Sequence, residues 1–365
     1  MKQKLTDTLR GLWKELIRKD KIAHRISPFV ALLLSLVAAG LVVTATGANA
    51  LEAYTALFKG ALGSVSSIKQ TIRYTIPIFL LGLSFSVCSR GGFFAIGQEG
   101  QMYAAALLLV CVQCYLPHLP QPLMMILMVI CGIVAAVVCA LIPAITKHYF
   151  GVNEAMVFVM LNYISLLLVE YLFLHSPLRN PDSASYPKSI AVAPTISTVA
   201  LYIGVIAILI LFILLIKKSI PGYRLRMVGQ NTAYAKASGL PVTQTILFSA
   251  VLGGGLAGLA SISEVLGVYH VVYNNFASAL GFKGVTVALL GMHNPLGMLF
   301  ASLLLGALQG GSVMLSTTTD VSPEIVSVVE GFIMFFSSVN LAVMIGRITD
   351  SRKRRKYHKE ERAAQ

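Results

Sequence analysis

Apolar runs of bilayer length follow one another along most of this chain and constrain its fold more than any other feature. A helix crossing the hydrocarbon core needs about 20 mostly apolar residues. Nine stretches qualify: 28–45, 74–90, 98–116, 122–145, 153–175, 197–216, 243–267, 295–314 and 325–346. Charged residues make up only 12 % of the 365, against about a quarter in soluble domains. No Pro/Ser-rich linker or domain-sized polar stretch divides the series. The expectation is an all-α polytopic membrane protein, with one transmembrane domain over 28–346 between basic segments 1–27 and 347–365.

Charge fixes the orientation and, with it, the count. Eight Lys/Arg lie in 1–27, five in 217–242 and eight from Arg347 onward, which accounts for most of the net charge of +14. These clusters flank apolar spans and lack aromatic interleaving, so they signal positive-inside topology rather than nucleic acid. Nine spans would put one basic terminus outside. Residues 271–291, containing ASALGFKGVTVALLG, can cross if their polar groups face a bundle. About ten transmembrane helices then place both termini in the cytoplasm, with 23 Lys/Arg on inner segments and 5 on outer loops. Ala48-Asn49-Ala50 resembles a signal-peptidase site. A 27-residue leader before a long apolar run nevertheless favours an uncleaved first helix.

One stretch suggests that something moves through the bundle. Gly91 to Gln101 reads GGFFAIGQEGQ, glycine-rich and carrying Glu99, between two apolar spans. Irregular backbone at membrane depth is tolerated only where protein or a water-filled path surrounds it. Broken spans with polar side chains are where transporters build their pathways. Glu99 can act there by capping backbone amides near a helix start or by touching the substrate. Phe93, Phe94, Tyr103, Tyr163 and Tyr269 offer flat surfaces for a ring, although membrane aromatics more often pack or anchor.

Lys217 to Val242 contains no acidic residue. Asn231 reads as an N-cap, Thr232 to Ser238 as a two-turn helix, and Gly239 as its left-handed stop with Pro241 beyond. Such a capped helix suits a cytosolic partner; a basic loop lying on anionic lipid is the other reading. In the outer connection Thr46–Arg73, LEAYTALFKGALGS reads as an interfacial amphipathic helix. Pro177, Pro181 and Pro187 break the outer loop His175–Pro194. The five cysteines all lie in apolar spans, where they serve packing. His270 and His293 lack metal-ligand spacing, so no metal is expected.

Four segments, in order, resemble a known family. GGFFAIGQEGQ resembles G-x-F-N-I-G-x-E-G-Q, and NEAMVFVMLNYI resembles N-E-V-I-x-x-x-M-L-N-Y-I. GYRLRMVGQNTAYAKASGL resembles G-x-x-L-R-A-V-G-x-N-x-x-A-A-x-x-x-G-I, and GFKGVTVALLGMHNPLG resembles G-F-x-G-I-A-V-A-L-L-G-x-x-N-P-L-G. These belong to the nucleoside and simple-sugar permeases of ABC importers, related to the branched-chain amino acid permeases. The first ninety residues match only in character, and Ala95 replaces the family's Asn.

The resemblance implies a type II-like importer permease in a bacterial plasma membrane. Gly222, Arg224, Arg226, Gly229, Asn231, Ala233 and Gly239 would form the coupling surface for an ABC ATP-binding subunit. Phe94, Gly97, Gln98, Glu99, Gly100, Gln101, Asn153, Asn162, Gly281, Phe282 and Gly284 would lie on the translocation path. It also implies a second permease chain, paralogue or identical copy, and an extracytoplasmic substrate-binding lipoprotein. No G-x-x-x-x-G-K-[ST] loop occurs in the chain, so ATP-Mg and its hydrolysis belong to a partner. The chain itself is expected to hold no cofactor and no catalytic residue. Nucleosides are the expected cargo, simple sugars the alternative. A gradient-driven transporter would need a paired carboxylate system, and an embedded enzyme a cluster of His/Asp/Glu; neither shows in the sequence.

Overall fold

The computed structural model describes residues 30–45, 49–180, 188–192, 196–318 and 324–338. The basic segments 1–27 and 347–365, and Pro181 and Pro187, lie outside them. The helices are α1 (Val30–Ala45), α2 (Ala50–Leu62), α3 (Val65–Arg90), α4 (Gln98–Tyr115), α5 (Gln121–Phe150), α6 (Glu154–His175) and α7 (Thr198–Lys218). They continue with α8 (Ile220–Gln230), α9 (Thr232–Ala237), α10 (Val242–Glu264), α11 (Leu280–Leu290), α12 (Pro295–Thr318) and α13 (Glu324–Ser338). A π-helical turn, Val265–Tyr269, extends α10. The described residues form two compact units, one within 56–314 and one from the described parts of 1–55 and 315–365.

In the smaller unit the Tyr54 hydroxyl donates to the Leu36 carbonyl, joining α2 to α1. The larger unit is built around α3 and α10. The best membrane window of α3 is 83 % buried, whereas those of α6 and α7 are 22 % and 11 % buried. Apolar faces left open on α6 and α7 suit lipid or another chain, because lipid imposes no penalty on exposed leucine. Between the central helices, close approach replaces bulk. A Cβ on Gly254 would sit 2.9 Å from the Ala136 carbonyl oxygen of α5, and one on Gly253 would strike the Cys88 sulfur of α3. Hydroxyls add interhelical bonds: Ser84 Oγ donates to the Gly253 carbonyl at 2.8 Å, and Ser261 Oγ to Met102 at 2.8 Å. Cys88 is buried in this seam and, like the other four cysteines, unpaired.

Among the described residues six helices are long and apolar enough to cross a bilayer: α3, α5, α6, α7, α10 with its π turn, and α12. The other expected spans fall on α1, α4, α11 and α13. Two boundaries differ from expectation. Helix α3 begins at Val65 rather than near residue 74, with Ser64 as N-cap accepting from Ser67 N at 3.0 Å. Its polar early turns have internal partners: Thr71 Oγ1 donates to Ala61 O at 2.9 Å and Arg73 to Val268 O at 2.6 Å. The eighth span is not a continuous helix either. Helix α11 has 11 residues, roughly 16 Å, about half the hydrocarbon core.

Candidate translocation path and coupling surface

The chain crosses the unit at two breaks. After α3 ends at Arg90, residues 93–97 run without helix back along α6, and α4 starts only at Gln98. Asn162 of α6 holds this segment in place. Its Oδ1 accepts from Gly100 N at 2.8 Å and its Nδ2 donates to Ile96 O at 3.3 Å. The side chain thereby satisfies backbone groups that hydrocarbon could not. Gly97, the N-cap of α4, offers no side chain for capping.

The second break lies between the π turn and α11. His270, Asn275 and Ala279 have φ of 55°, 62° and 62°, a left-handed conformation that costs non-glycine residues energy. Val268 sits at the level of Arg73, while His293, just past α11, accepts from Arg90 at 2.7 Å. Arg73 and Arg90 are 17 positions apart on α3, about 26 Å along its axis. Residues 268–293 therefore traverse the unit as irregular backbone plus a half-helix.

The starts of α4 and α11 meet. The Glu99 carboxylate lies against the backbone amides of Ala279 and Gly281, and a Cβ on Gly281 would be 2.9 Å from Glu99 Cγ. Glu99 thus complements the positive end of the neighbouring helix rather than only its own. Around it, Gln98 and Gln101 are buried. Gln98 Oε1, Glu99 Oε1 and Gln101 Oε1 are buried without a hydrogen-bond partner. Gly284 presses on Leu81 of α3, where a Cβ would lie 2.9 Å from backbone carbon.

Not every expected path residue joins this cluster. Asn153 is an exposed N-cap of α6, accepting from Ala155 N at 2.9 Å. Phe282 is exposed, and Phe94 packs edge-on to Phe85 at 5.4 Å. Phe93 is buried against Phe158, and Tyr103 against Phe276, so both serve packing; Tyr163 is exposed. Glu154 pairs with Lys147 at 2.6 Å. Among the described residues no group of His, Cys, Asp and Glu could hold a metal ion.

Sequence reasoning missed a buried charge cluster. Glu264, only 3 % exposed, feels the positive charges of Arg73 and Lys283. Lys283 donates to Gln309 Oε1 at 2.5 Å. Helices α3, α10, α11 and α12 each supply one member, and no local pattern could have revealed that.

Around 217–242 the expected cap and stop are present. Asn231 Oδ1 accepts from Tyr234 N at 2.9 Å, and Gly239 has φ +75°. Asn231, Ala233 and Gly239 are exposed, with Ala235 as the buried anchor. The sequence reading missed α8. Ser219 caps it, accepting from Gly222 N at 3.1 Å, and Pro221 occupies its first turn, where a missing N–H costs nothing. Gly222 is buried against α7, and Arg226 donates to Ile216 O. A Cβ on Gly229 would collide with the Arg90 carbonyl, so α8 rests on the end of α3. Two cavities flank α8: one of about 220 Å³ lined by Pro221, Arg224, Gln244, Thr245 and Phe248, and one of about 190 Å³ at Arg90 and Arg226.

Residues 67–338 match the permease component of the branched-chain amino acid transport system. The chain belongs to this permease family. The nucleoside ABC transporter permease protein NupB of Lactococcus lactis subsp. cremoris is 31 % identical, over 89 % of this chain and 94 % of that protein. The guanosine ABC transporter permease protein NupP of Bacillus subtilis is 30 % identical, over 88 % and 95 %. The glucose ABC transporter permease protein TsgB13 of Haloferax volcanii is 25 % identical, over 85 % and 86 %. Family membership and the apolar helices make the chain a multi-pass membrane protein and a transport subunit of an ABC system. The family match spans both breaks and helices α8 and α9.

Proposed function

We propose that this permease carries nucleosides into the cell as the membrane subunit of an ATP-driven importer. The observation that carries the cargo is the near full-length similarity, at 30–31 % identity, to two permeases named for nucleosides or guanosine. A sugar cargo is the second reading, favoured by the glucose permease at 25 %. A substrate-binding lipoprotein delivers ligand on the side opposite α8–α9. An ATP-binding subunit docks on α8–α9, on the cytoplasmic side with both termini, and carries the ATP-Mg. A second permease chain, paralogue or identical copy, closes the path along the open apolar faces.

Within this chain the substrate passes beside the meeting point of α4 and α11. Gln98, Glu99 and Gln101 offer partnerless oxygens there, suited to the hydroxyl and amino donors of a nucleoside. A weak, polar path is sufficient, because the binding protein sets the specificity. Coupling follows from contiguity. Helix α8 rests on the end of α3, which leads into the first break, and α9 runs into α10, which leads into the second. Arg90 also holds the exit of α11 through His293. A tilt of α8–α9 on ATP binding therefore reaches both breaks, which can open alternately.

The test is uptake of labelled guanosine, uridine and ribose in cells with and without the chain, with ATP depleted while the ion gradient is held. Nucleoside uptake that requires both the chain and ATP supports the proposal. Ribose uptake alone moves the cargo to sugars, and uptake that follows the gradient overturns ATP coupling.

A further inference from the structure

The smaller cavity beside α8 has an unusual lining. Ser89, Arg90, Arg226, Gly229 and Gln230 form it, all polar or without a side chain, and two of them cationic. The Arg90 and Arg226 guanidiniums lie close enough to repel each other. Each is anchored by a carbonyl, Arg90 to His293 at 2.7 Å and Arg226 to Ile216. That leaves most of their five N–H donors unused, and Arg90 Nε is buried with no acceptor. Glu154 is paired with Lys147, and residues 217–242 contain no acid. His293, the other titratable neighbour, faces Ser86 Oγ at 3.3 Å and stacks on Phe85.

Two half-buried cations without a counter-charge are costly to hold together, and none of the described residues supplies a counter-charge here. The cavity, about 190 Å³, is smaller than typical small-molecule pockets of roughly 300–1,000 Å³, but it accommodates the end of one side chain. None of its lining residues is aliphatic, which argues against a seat for acyl chains. It opens beside exposed Gly229 and Gln230, directly before the exposed helix α9.

We propose that this cavity receives one aspartate or glutamate side chain of the ATP-binding subunit, clamped between Arg90 and Arg226. The proposal rests on the ABC reading above and deepens it. Guanidinium forks grip carboxylates with paired, charge-assisted bonds. One incoming carboxylate would tie α8 to the end of α3 and, through the Arg90–His293 bond, to the turn after α11.

The test measures affinity of the purified ATP-binding subunit for the full-length permease in nanodiscs of phosphatidylcholine, with and without phosphatidylglycerol, across a salt series. Arg226→Gln and Arg90→Gln are expected to weaken binding at least tenfold in both membranes and to flatten its salt dependence. Arg226→Lys should retain most of the affinity. Gln230→Glu changes only an exposed side chain at the rim, so it leaves the fold intact; it should plug the cavity and weaken binding similarly. Arg substitutions scanned over the acidic residues of the ATP-binding subunit should include one that restores binding to Arg226→Glu. Unchanged affinity in Gln230→Glu and both Gln variants overturns the clamp alone. Loss confined to phosphatidylglycerol nanodiscs overturns it in favour of lipid phosphate. Absence of binding by the unmodified permease overturns the transporter reading and the clamp with it.

Discussion

The two breaks begin their helices with the same spacing of two glycines around a charged residue, Gly97-Gln98-Glu99-Gly100 and Gly281-Phe282-Lys283-Gly284, yet they leave their polar groups in different conditions. At the first, Gln98, Glu99 and Gln101 keep buried oxygens without partners. At the second, Lys283 is bonded to Gln309 and set beside Glu264. A buried unsatisfied group costs about 1–3 kcal/mol; the first break carries three within four residues, against two at the second, Glu264 Oε2 and His270 Nδ1. Strain of that kind persists where function repays it. On the proposed reading the first break is the surface for cargo and the second a brace on which the first is aligned.

Substitutions that separate these roles can break or sharpen the comparison. The largest effect is expected from Gly284→Leu, which drives a side chain into the α3 backbone at Leu81. Overpacking costs about 1–3 kcal/mol or more, and folded protein in the membrane should be lost, as size-exclusion of detergent extracts would reveal. Next, Glu99→Ala should lower ATP-dependent uptake at least tenfold while the amount and melting temperature of the protein stay near normal. Lys283→Met should do the reverse: a lower melting temperature, by the equivalent of about 1–3 kcal/mol for the carboxylate left behind, with transport per folded molecule largely kept. Full stability with abolished transport in Lys283→Met would erase the distinction. The smallest effect belongs to Asn231→Ala, which removes the cap of α9 at a cost of about 1 kcal/mol and should loosen docking of the ATP-binding subunit without changing the membrane fold.

What could be read in the sequence was local. Asn231 and Gly239 bracket α9 as expected, because a cap and a left-handed stop are decided within one turn. The polar break at Gly91–Gln101 was legible for the same reason. Helix α8 was not, since Pro221-Gly222 reads as a turn until Ser219 is seen capping it and α7 is seen accommodating Gly222. The start of α3 was hidden by Thr71 and Arg73, polar residues whose partners, Ala61 and Val268, come from elsewhere in the fold. The eighth span looked like a helix because 271–291 is apolar, but three left-handed residues keep its first half irregular. The triad of Arg73, Glu264 and Lys283 spans about 210 positions of chain, a separation that only tertiary packing closes.

The central claim is that the junction of α4 and α11 lines the route of the cargo. Its most direct test is labelling of the Gln101→Cys variant by a charged, membrane-impermeant thiol reagent, in a transporting background with the five native cysteines replaced and the ATP-binding subunit cycling. Labelling that requires ATP turnover and is slowed by guanosine is the predicted result. A thiol at this position that stays unlabelled through turnover, or is labelled equally with and without nucleoside, would contradict the account.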